Sequence, residues 1–565
     1  MPPALAFFAN RFGATNTIAW RIAPTAALHL AALAVMAFTE TDLVAAFAFL
    51  LTWGLLNFFW LGLLRRPAIA AALSLAMVVI VVLVSRLKHE IISVTANFLD
   101  VLIVDRDTIS FLMNILPDLQ RNVAVSLLIG LPLLVLLWRF DPVRLRGRTA
   151  LAGFSACLAG IALVSFAQPQ ADWEIFLDGS YVSKFVRSGV AELSSLMTHG
   201  YMESDAVVTD RLRMLPEATC TPGARPPHII MVHDESSFDI RVAPSIKVPD
   251  GYGSHFRSFD GRERQFLVES VGGPSWYTEY NVLAGLSARS FGQFAYHVTQ
   301  IAAGRVERGL ATALRRCGYR TFSIYPALGA FMSARSFQAS TGVQHFFDQQ
   351  SLGTNRIEPD QFYYDAALRM MEHERRNGPM FVFVYLAQNH WPWDHRWRPD
   401  LMPEWKDPGN GPAIDEYLRR QAMSAHDYAD LLETLKRDFP GEPFLLVRYG
   451  DHQPDFAFLI QEPGLDEAAI TQRLINYDPR YFATYYAIDA INYQPVNLAS
   501  ALDTIEGPYL PMITQELAGL PLDASFAEQK KIFQRCQGLF YGCDGGAEAR
   551  RFNRLLIDAG LIKGL

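Results

Sequence analysis

The chain is short of cysteine and short of charge. Five cysteines occur in 565 residues and none forms a C-x-x-C pair, which leaves a thiolate zinc site poorly supported. Charged residues make up only 19%, and the net charge of -7 gives no reason to expect nucleic acid as a partner. Met1 to Phe12 lacks a clean apolar core and cleavage site, so no removable signal peptide is expected. Apolar residues take the place of charge: half the chain is hydrophobic, and its length is too great for one core.

The apolar residues gather at the front in five runs, 22–39, 43–64, 67–85, 122–138 and 149–166. Each is near the roughly 20 residues that a helix rising 1.5 Å per residue needs to cross a bilayer. One such run is compatible with a buried core helix, but five in succession predict a transmembrane domain over 1–170. Arg11, Arg21, Arg65, Arg66, Arg139, Arg144, Arg146 and Arg148 flank one side of the runs, and Glu40 and Asp42 the other. The positive-inside rule then puts everything after about residue 170 outside the cytoplasmic membrane. The segment 86–121 mixes apolar and charged residues and reads as amphipathic helices on the outer surface. Cys157 falls in the fifth run; the other four cysteines would meet an oxidising compartment, with Cys536 and Cys543 the expected pair because their loop is short.

Residues 171–225 read as a linker, rich in Pro and Gly at its end. Beyond it, HIIMV (228–232), TFSIY (321–325), MFVFVYLA (380–387) and PFLLVRYG (443–450) read as buried strands, with helical stretches at 306–317, 362–376 and 422–437 between them. Continuous apolar strands alternating with helices predict a mostly parallel central sheet covered on both faces, an external α/β domain over 226–520 with a C-terminal extension over 521–565. Ligands bind beyond the C-terminal ends of such strands. Three of those ends are strongly polar: His233-Asp-Glu-Ser-Ser237, Gln388-Asn-His390-Trp-Pro-Trp393 and Asp451-His452-Gln-Pro-Asp455. Carboxylates and imidazoles converging on one sheet edge suit a divalent metal ion.

These motifs resemble the alkaline phosphatase and sulfatase superfamily, and within it the membrane-anchored transferases: lipoteichoic acid synthases, phosphoglycerol transferases and lipid A phosphoethanolamine transferases. Glu235-Ser236 matches a strand-end metal ligand, Tyr449-Gly-Asp451-His452 supplies two more, and Asn389-His390 matches a later strand end. The resemblance implies an alkaline phosphatase-like fold and one divalent ion (Mn, Zn or Mg) held by Glu235, Asp451, His452 and the nucleophile. In GGPSWYTEYN it implies Thr278 as that nucleophile and ligand, with Ser275 the rival three residues earlier. It further implies His390 in phosphoryl contact or proton transfer, and Arg335, Trp391 and Asn389 at the headgroup. Phe331 and Met332 stand where those families carry a Trp, and Tyr325 where they carry a His.

Plainer readings apply to the neighbours. Asp234 reads as a supporting or capping residue, Ser236 and Ser237 as helix caps, and His345, His395 and His426 as surface histidines. Glu279 reads as a first-turn residue favourable to the helix dipole. Cys220-Thr-Pro-Gly-Ala-Arg225 is C-x-P-x-x-R, one residue longer than the C-x-P-x-R of a formylglycine sulfatase, and it precedes the first strand instead of following it. The expected function is a membrane-bound transfer of phosphoglycerol from a phospholipid donor to a glycan or lipid acceptor through a phospho-threonine. Phosphoethanolamine transfer and a sulfatase-like hydrolase or phosphodiesterase are the alternatives.

Overall fold

The computed structural model describes residues 23–565 except 93, 105, 116–117, 142–143, 145, 171–173, 175–176, 206–210, 213–219 and 221–224. The chain divides into two compact units, Met1–Gly200 and Tyr201–Leu565.

The first unit is helical. Four helices are long and apolar enough to cross a membrane: α2 (Leu43–Leu64), the Pro67–Glu90 part of α3 (Pro67–Ile92), α6 (Leu119–Phe140) and α7 (Gly147–Ala167). The first expected span corresponds to the shorter apolar helix α1 (Ala23–Thr39), preceded by residues outside the described ones, so four spans are supported among the described residues and the count of five is not confirmed. Asp42 caps α2 by accepting from the Ala45 N–H at 2.8 Å. The 86–121 segment is less separate than expected. Residues 86–92 simply continue α3, because nothing in SRLKHEII breaks a helix. Two short helices follow, α4 (Leu99–Ile103) and α5 (Arg106–Ile115), and α6 begins inside the same segment. The 171–225 stretch also holds structure: α8 (Tyr181–His199) belongs to the first unit.

The second unit is built on an eight-stranded sheet of order β4-β3-β5-β1-β6-β7-β2-β8. Its strands are β1 (His228–Asp234), β2 (Arg264–Leu267), β3 (Arg320–Ile324), β4 (His345–Phe347), β5 (Met380–Tyr385), β6 (Phe444–Gly450), β7 (Ala483–Ile491) and β8 (Thr504–Glu506). β1 lies between β5 and β6 and pairs parallel with both; β7 pairs antiparallel with β6 and β2. Every residue of β1, β5 and β6 is buried, which is why these strands read as unbroken apolar runs. The pleat splits them by parity. Ile230, Val232, Phe322, Ile324, Val382, Val384, Phe444 and Leu446 share one face, packed against Tyr363, Tyr364 and Met371 of the Asp360–Glu374 helix and Leu431 and Leu435 of the Pro412–Asp438 helix. Burying each of these large side chains contributes about 1.5–3 kcal/mol. The 521–565 stretch folds into this unit, with Phe526, Phe552, Leu555 and Leu556 buried.

Candidate metal centre

The register of the central strands assembles the site. β1 and β6 run level, so that Asp234 pairs with Gly450 and the next residues, Glu235 and Asp451, leave the sheet side by side. Gly450 is required by space: a Cβ there would lie 1.7 Å from the Ser237 carbonyl oxygen. Ser236 turns the chain with φ 50 and donates its backbone N–H to Asp451 Oδ1 at 2.7 Å; the His452 N–H reaches the same oxygen at 2.8 Å. The third element is α9 (Ser275–Ala284). Its approach is pinned by a parallel bridge between Val271 and Gln453, and by the Gly272 N–H donating to the Gln453 carbonyl at 2.9 Å.

Helix α9 begins at Ser275, not at Thr278. Ser275 Oγ lies 3.2 Å from Glu235 Oε2 and 3.2 Å from His452 Nε2. Thr278, one turn further along, is fully buried and donates its hydroxyl to the Asp451 main-chain carbonyl at 2.6 Å. The sequence reading put Thr278 among the ligands; in the structure the hydroxyl beside the Glu235 and His452 side chains is that of Ser275. The physical reason is where the helix starts. Pro274 precedes it, and at that start Ser275 meets the side chains of Glu235 and His452, whereas Thr278, one turn on, meets the Asp451 main chain.

The remaining donors are Glu235, Asp451 and His452, all buried. His452 Nε2 is 3.5 Å from Glu235 Oε1 and 3.5 Å from Asp451 Oδ2. Its Nδ1 faces the Gln453 carbonyl at 2.9 Å, so Nδ1 keeps a hydrogen and Nε2, directed into the cluster, is the nitrogen that would give up its proton to a cation. Burial alone would lower this imidazole, but Asp451 and Glu235 push it up to about 9. Burial likewise works against ionising Asp451, yet the neighbouring His452 and His233 hold it below its ordinary value. Two buried carboxylates, an inward imidazole nitrogen and a hydroxyl make a donor set that fits a divalent cation. His233, which the sequence reading did not include among the ligands, offers an atom that groups with those of Glu235 and Asp451 within 4.8 Å. Its place two residues before Glu235 on the same strand face was the available signal.

The other expected residues make contacts of their own, none of them to this cluster's side chains among the described residues. His390 is exposed past the end of β5, with Nδ1 2.6 Å from the Trp391 carbonyl. Asn389 is buried and lies against the Trp393 indole N–H at 3.3 Å. Trp391 is 59% exposed. Arg335 is half exposed but engaged: it pairs with Asp348 at 2.5 Å and stacks over the Phe346 ring at 4.8 Å. Arg420, not anticipated, holds the His390 loop by donating to the carbonyls of His390 and Pro392, each at 2.8 Å. Tyr325 packs edge-on against Tyr385, ring centroids 5.1 Å apart.

Fold and site define a class: an α/β domain presenting carboxylates, an imidazole and a helix-opening hydroxyl at one sheet edge. Residues 274–499 match the family model for sulfatases. An uncharacterized protein of Haemophilus influenzae is 23% identical over 203 residues, a match spanning 34% of this chain and 36% of that protein. Similar solved structures include the Streptococcus pyogenes phosphoglycerol transferase GacH in complex with sn-glycerol-1-phosphate, with 15% identity, a TM-score of 0.46, and 61% of this chain and 89% of that chain covered. The Listeria monocytogenes lipoteichoic acid synthase LtaP has 15% identity, a TM-score of 0.39, and coverage of 54% and 75%. The periplasmic domain of Escherichia coli EcEptC in complex with Zn has 17% identity, a TM-score of 0.36, and coverage of 55% and 87%.

Proposed function

We propose that this chain is a membrane-bound, metal-dependent transferase that moves a phospholipid headgroup, phosphoglycerol first, to a glycan or lipid acceptor. The observation that carries the reading is Ser275 Oγ at a helix N-terminus, 3.2 Å from both Glu235 and His452. Ser275 takes the nucleophilic role that the sequence reading gave to Thr278. Glu235, Asp451 and His452 hold the cation. When bound, a divalent cation lowers the pKa of the hydroxyl and offsets phosphoryl charge.

The residues divide the remaining work. Glu235 Oε2 accepts the Ser275 hydroxyl hydrogen and aims Oγ for in-line attack. The new bond is Oγ–P; the bond broken joins phosphorus to the diacylglycerol oxygen. The first-turn N–H groups of α9 face the phosphoryl oxygens. His390, exposed past the end of β5, gives a proton to the departing alkoxide and later takes one from the acceptor hydroxyl, whose attack on phosphorus breaks the Oγ–P bond while Ser275 regains its hydrogen from Glu235. Trp391 beside it offers an apolar wall for glycerol, and Arg335 lies at the headgroup rim. The apolar helices of the first unit anchor the domain at the cytoplasmic membrane, on its outer side. Phosphoglycerol is favoured because NHWPW and YGDH resemble that branch, and because the cystines, Cys220–Cys317 and Cys536–Cys543, leave no cysteine flanking Ser275.

The test supplies headgroup-labelled phosphatidylglycerol to membranes carrying the protein. Label should pass to an acceptor and be trapped on the Ser275 peptide after acid quench. Transfer by Ser275→Ala at the wild-type rate sinks the reading. Release of free headgroup phosphate without any acceptor makes the protein a hydrolase instead.

A further inference from the structure

Two imidazoles flank the Asp451 carboxylate, and their hydrogen-bond partners give them different jobs. His452 keeps a hydrogen on Nδ1 and directs Nε2 toward the cluster, as above. His233 has no solvent exposure, its Nε2 lies 3.2 Å from Asp451 Oδ2, and its Nδ1 lies 3.0 Å from the Tyr449 hydroxyl. Tyr449 is itself 0% exposed, and among the described residues its hydroxyl has no other hydrogen-bond partner. A buried hydroxyl hydrogen almost always has an acceptor, and here the acceptor is Nδ1. In a neutral ring the hydrogen is then on Nε2, which donates it to Asp451. Nitrogen committed in this way has no lone pair left for a cation.

We infer that Tyr449 and His233 form a strut that positions Asp451 for cation binding, His233 itself not being a ligand. The inference rests on the metal-dependent reading above. Register builds the strut: His233 and Tyr449 are direct partners across β1 and β6. Packing locks the ring, with Tyr385 lying over it at 3.9 Å between centroids and Phe383 edge-on at 6.0 Å. The other Asp451 oxygen is already held by the Ser236 and His452 N–H groups, so both oxygens are oriented before a cation arrives. The Nε2–H donor fixes the second Asp451 oxygen in the orientation a metal ion would need.

The experiment titrates Mn²⁺ into the purified full chain in detergent and reads free Mn²⁺ by electron paramagnetic resonance. Nitrogen couplings of the bound ion are recorded alongside. His233→Asn and His233→Gln should weaken Mn²⁺ binding by about 10–100-fold while the imidazole coupling persists. Tyr449→Phe should weaken it in the same direction by a smaller factor. Because it removes one hydroxyl from an otherwise unchanged ring, it carries the test should the His233 variants fail to fold. His452→Gln should abolish the coupling. Wild-type affinity in Tyr449→Phe and the His233 variants overturns the strut. So does loss of the coupling in His233→Asn with its survival in His452→Gln, which would make His233 the ligand. A protein that shows the strut's Mn²⁺ dependence but transfers no headgroup overturns the proposed function and leaves the strut standing.

Discussion

Ser275 and Thr278 sit one helical turn apart, and their hydroxyls do different work. The Ser275 hydroxyl has a carboxylate and an imidazole as neighbours; the Thr278 hydroxyl is spent on a main-chain carbonyl. Ser275→Ala should therefore cut headgroup transfer by about 10³-fold or more. Thr278→Val should keep most of the transfer and lose about 0.5–1.5 kcal/mol of stability for the missing hydrogen bond. The reverse ranking, in a labelled-lipid assay paired with thermal melts, would return the nucleophile to Thr278. Glu279, next to Thr278 in the chain, has a second residue-scale consequence. It is fully buried, its Oε1 accepts from Gln338 at 2.9 Å, and its Oε2 has no partner among the described residues. Burial pushes its carboxyl from 4.5 up to about 8. The folded chain thus binds a proton more tightly than the unfolded chain does. Stability then falls as pH rises from about 4.5 to about 8, by at most about 1.4 kcal/mol per unit. Glu279→Gln should raise the melting temperature relative to wild type at pH 8 and leave the difference near zero at pH 4.5. An equal shift at both pH values would show that ionisation is not the cause.

At the scale of elements, what could be read from the sequence follows from burial. β1, β3, β5 and β6 are interior strands with parallel neighbours, and each showed itself as an apolar run, with strongly polar residues after β1, β5 and β6. β7 escaped notice although it is nine residues long, ATYYAIDAI. Its antiparallel pairing puts it outside the strand-helix alternation, and its Tyr and Asp residues interrupt the apolar signal. β2, β4 and β8 are too short to carry a period. The strand-end candidates Glu235, Asp451 and His452 were legible because a parallel sheet puts polar residues at its C-terminal edge. The start of α9 was not, since GGPSWYT holds two hydroxyls and only the three-dimensional path chooses between them. Arg420 was equally hidden: its role comes from a helix more than twenty residues away from the loop it supports. Arg420→Met keeps the apolar stem but removes the donors to the His390 and Pro392 carbonyls, and Glu416 retains Arg419. The variant should fold and lose about 10–100-fold in transfer efficiency by letting the His390 loop shift. Unchanged kcat/KM would mean that the loop holds itself.

Over the whole molecule, the two cystines make an ordered prediction about the second unit. Cys536–Cys543 joins residues 7 apart, as the short loop suggested, and ties the turn between two C-terminal helices. Cys220–Cys317 spans 97 residues and fastens the chain just ahead of β1 to the end of the Leu310–Arg316 helix, next to β3. Both are of the kind that persists in an oxidising compartment, which supports the proposed outer location of this unit. Cross-links act largely by restricting the unfolded chain, and the restriction grows with the loop they close. On that basis the long cystine contributes about 4–5 kcal/mol and the short one about 2–3 kcal/mol. The paired variant Cys220→Ser/Cys317→Ser should therefore melt at a lower temperature than Cys536→Ser/Cys543→Ser, each measured on the full chain in detergent without reductant. It should also show the greater loss of Mn²⁺ binding near its melting point, because β1 carries both Glu235 and His233 to the site. If the short-loop pair proves the more damaging, the C-terminal helices depend on their turn more than the sheet depends on its tether, and loop length is not what sets the stability of this unit.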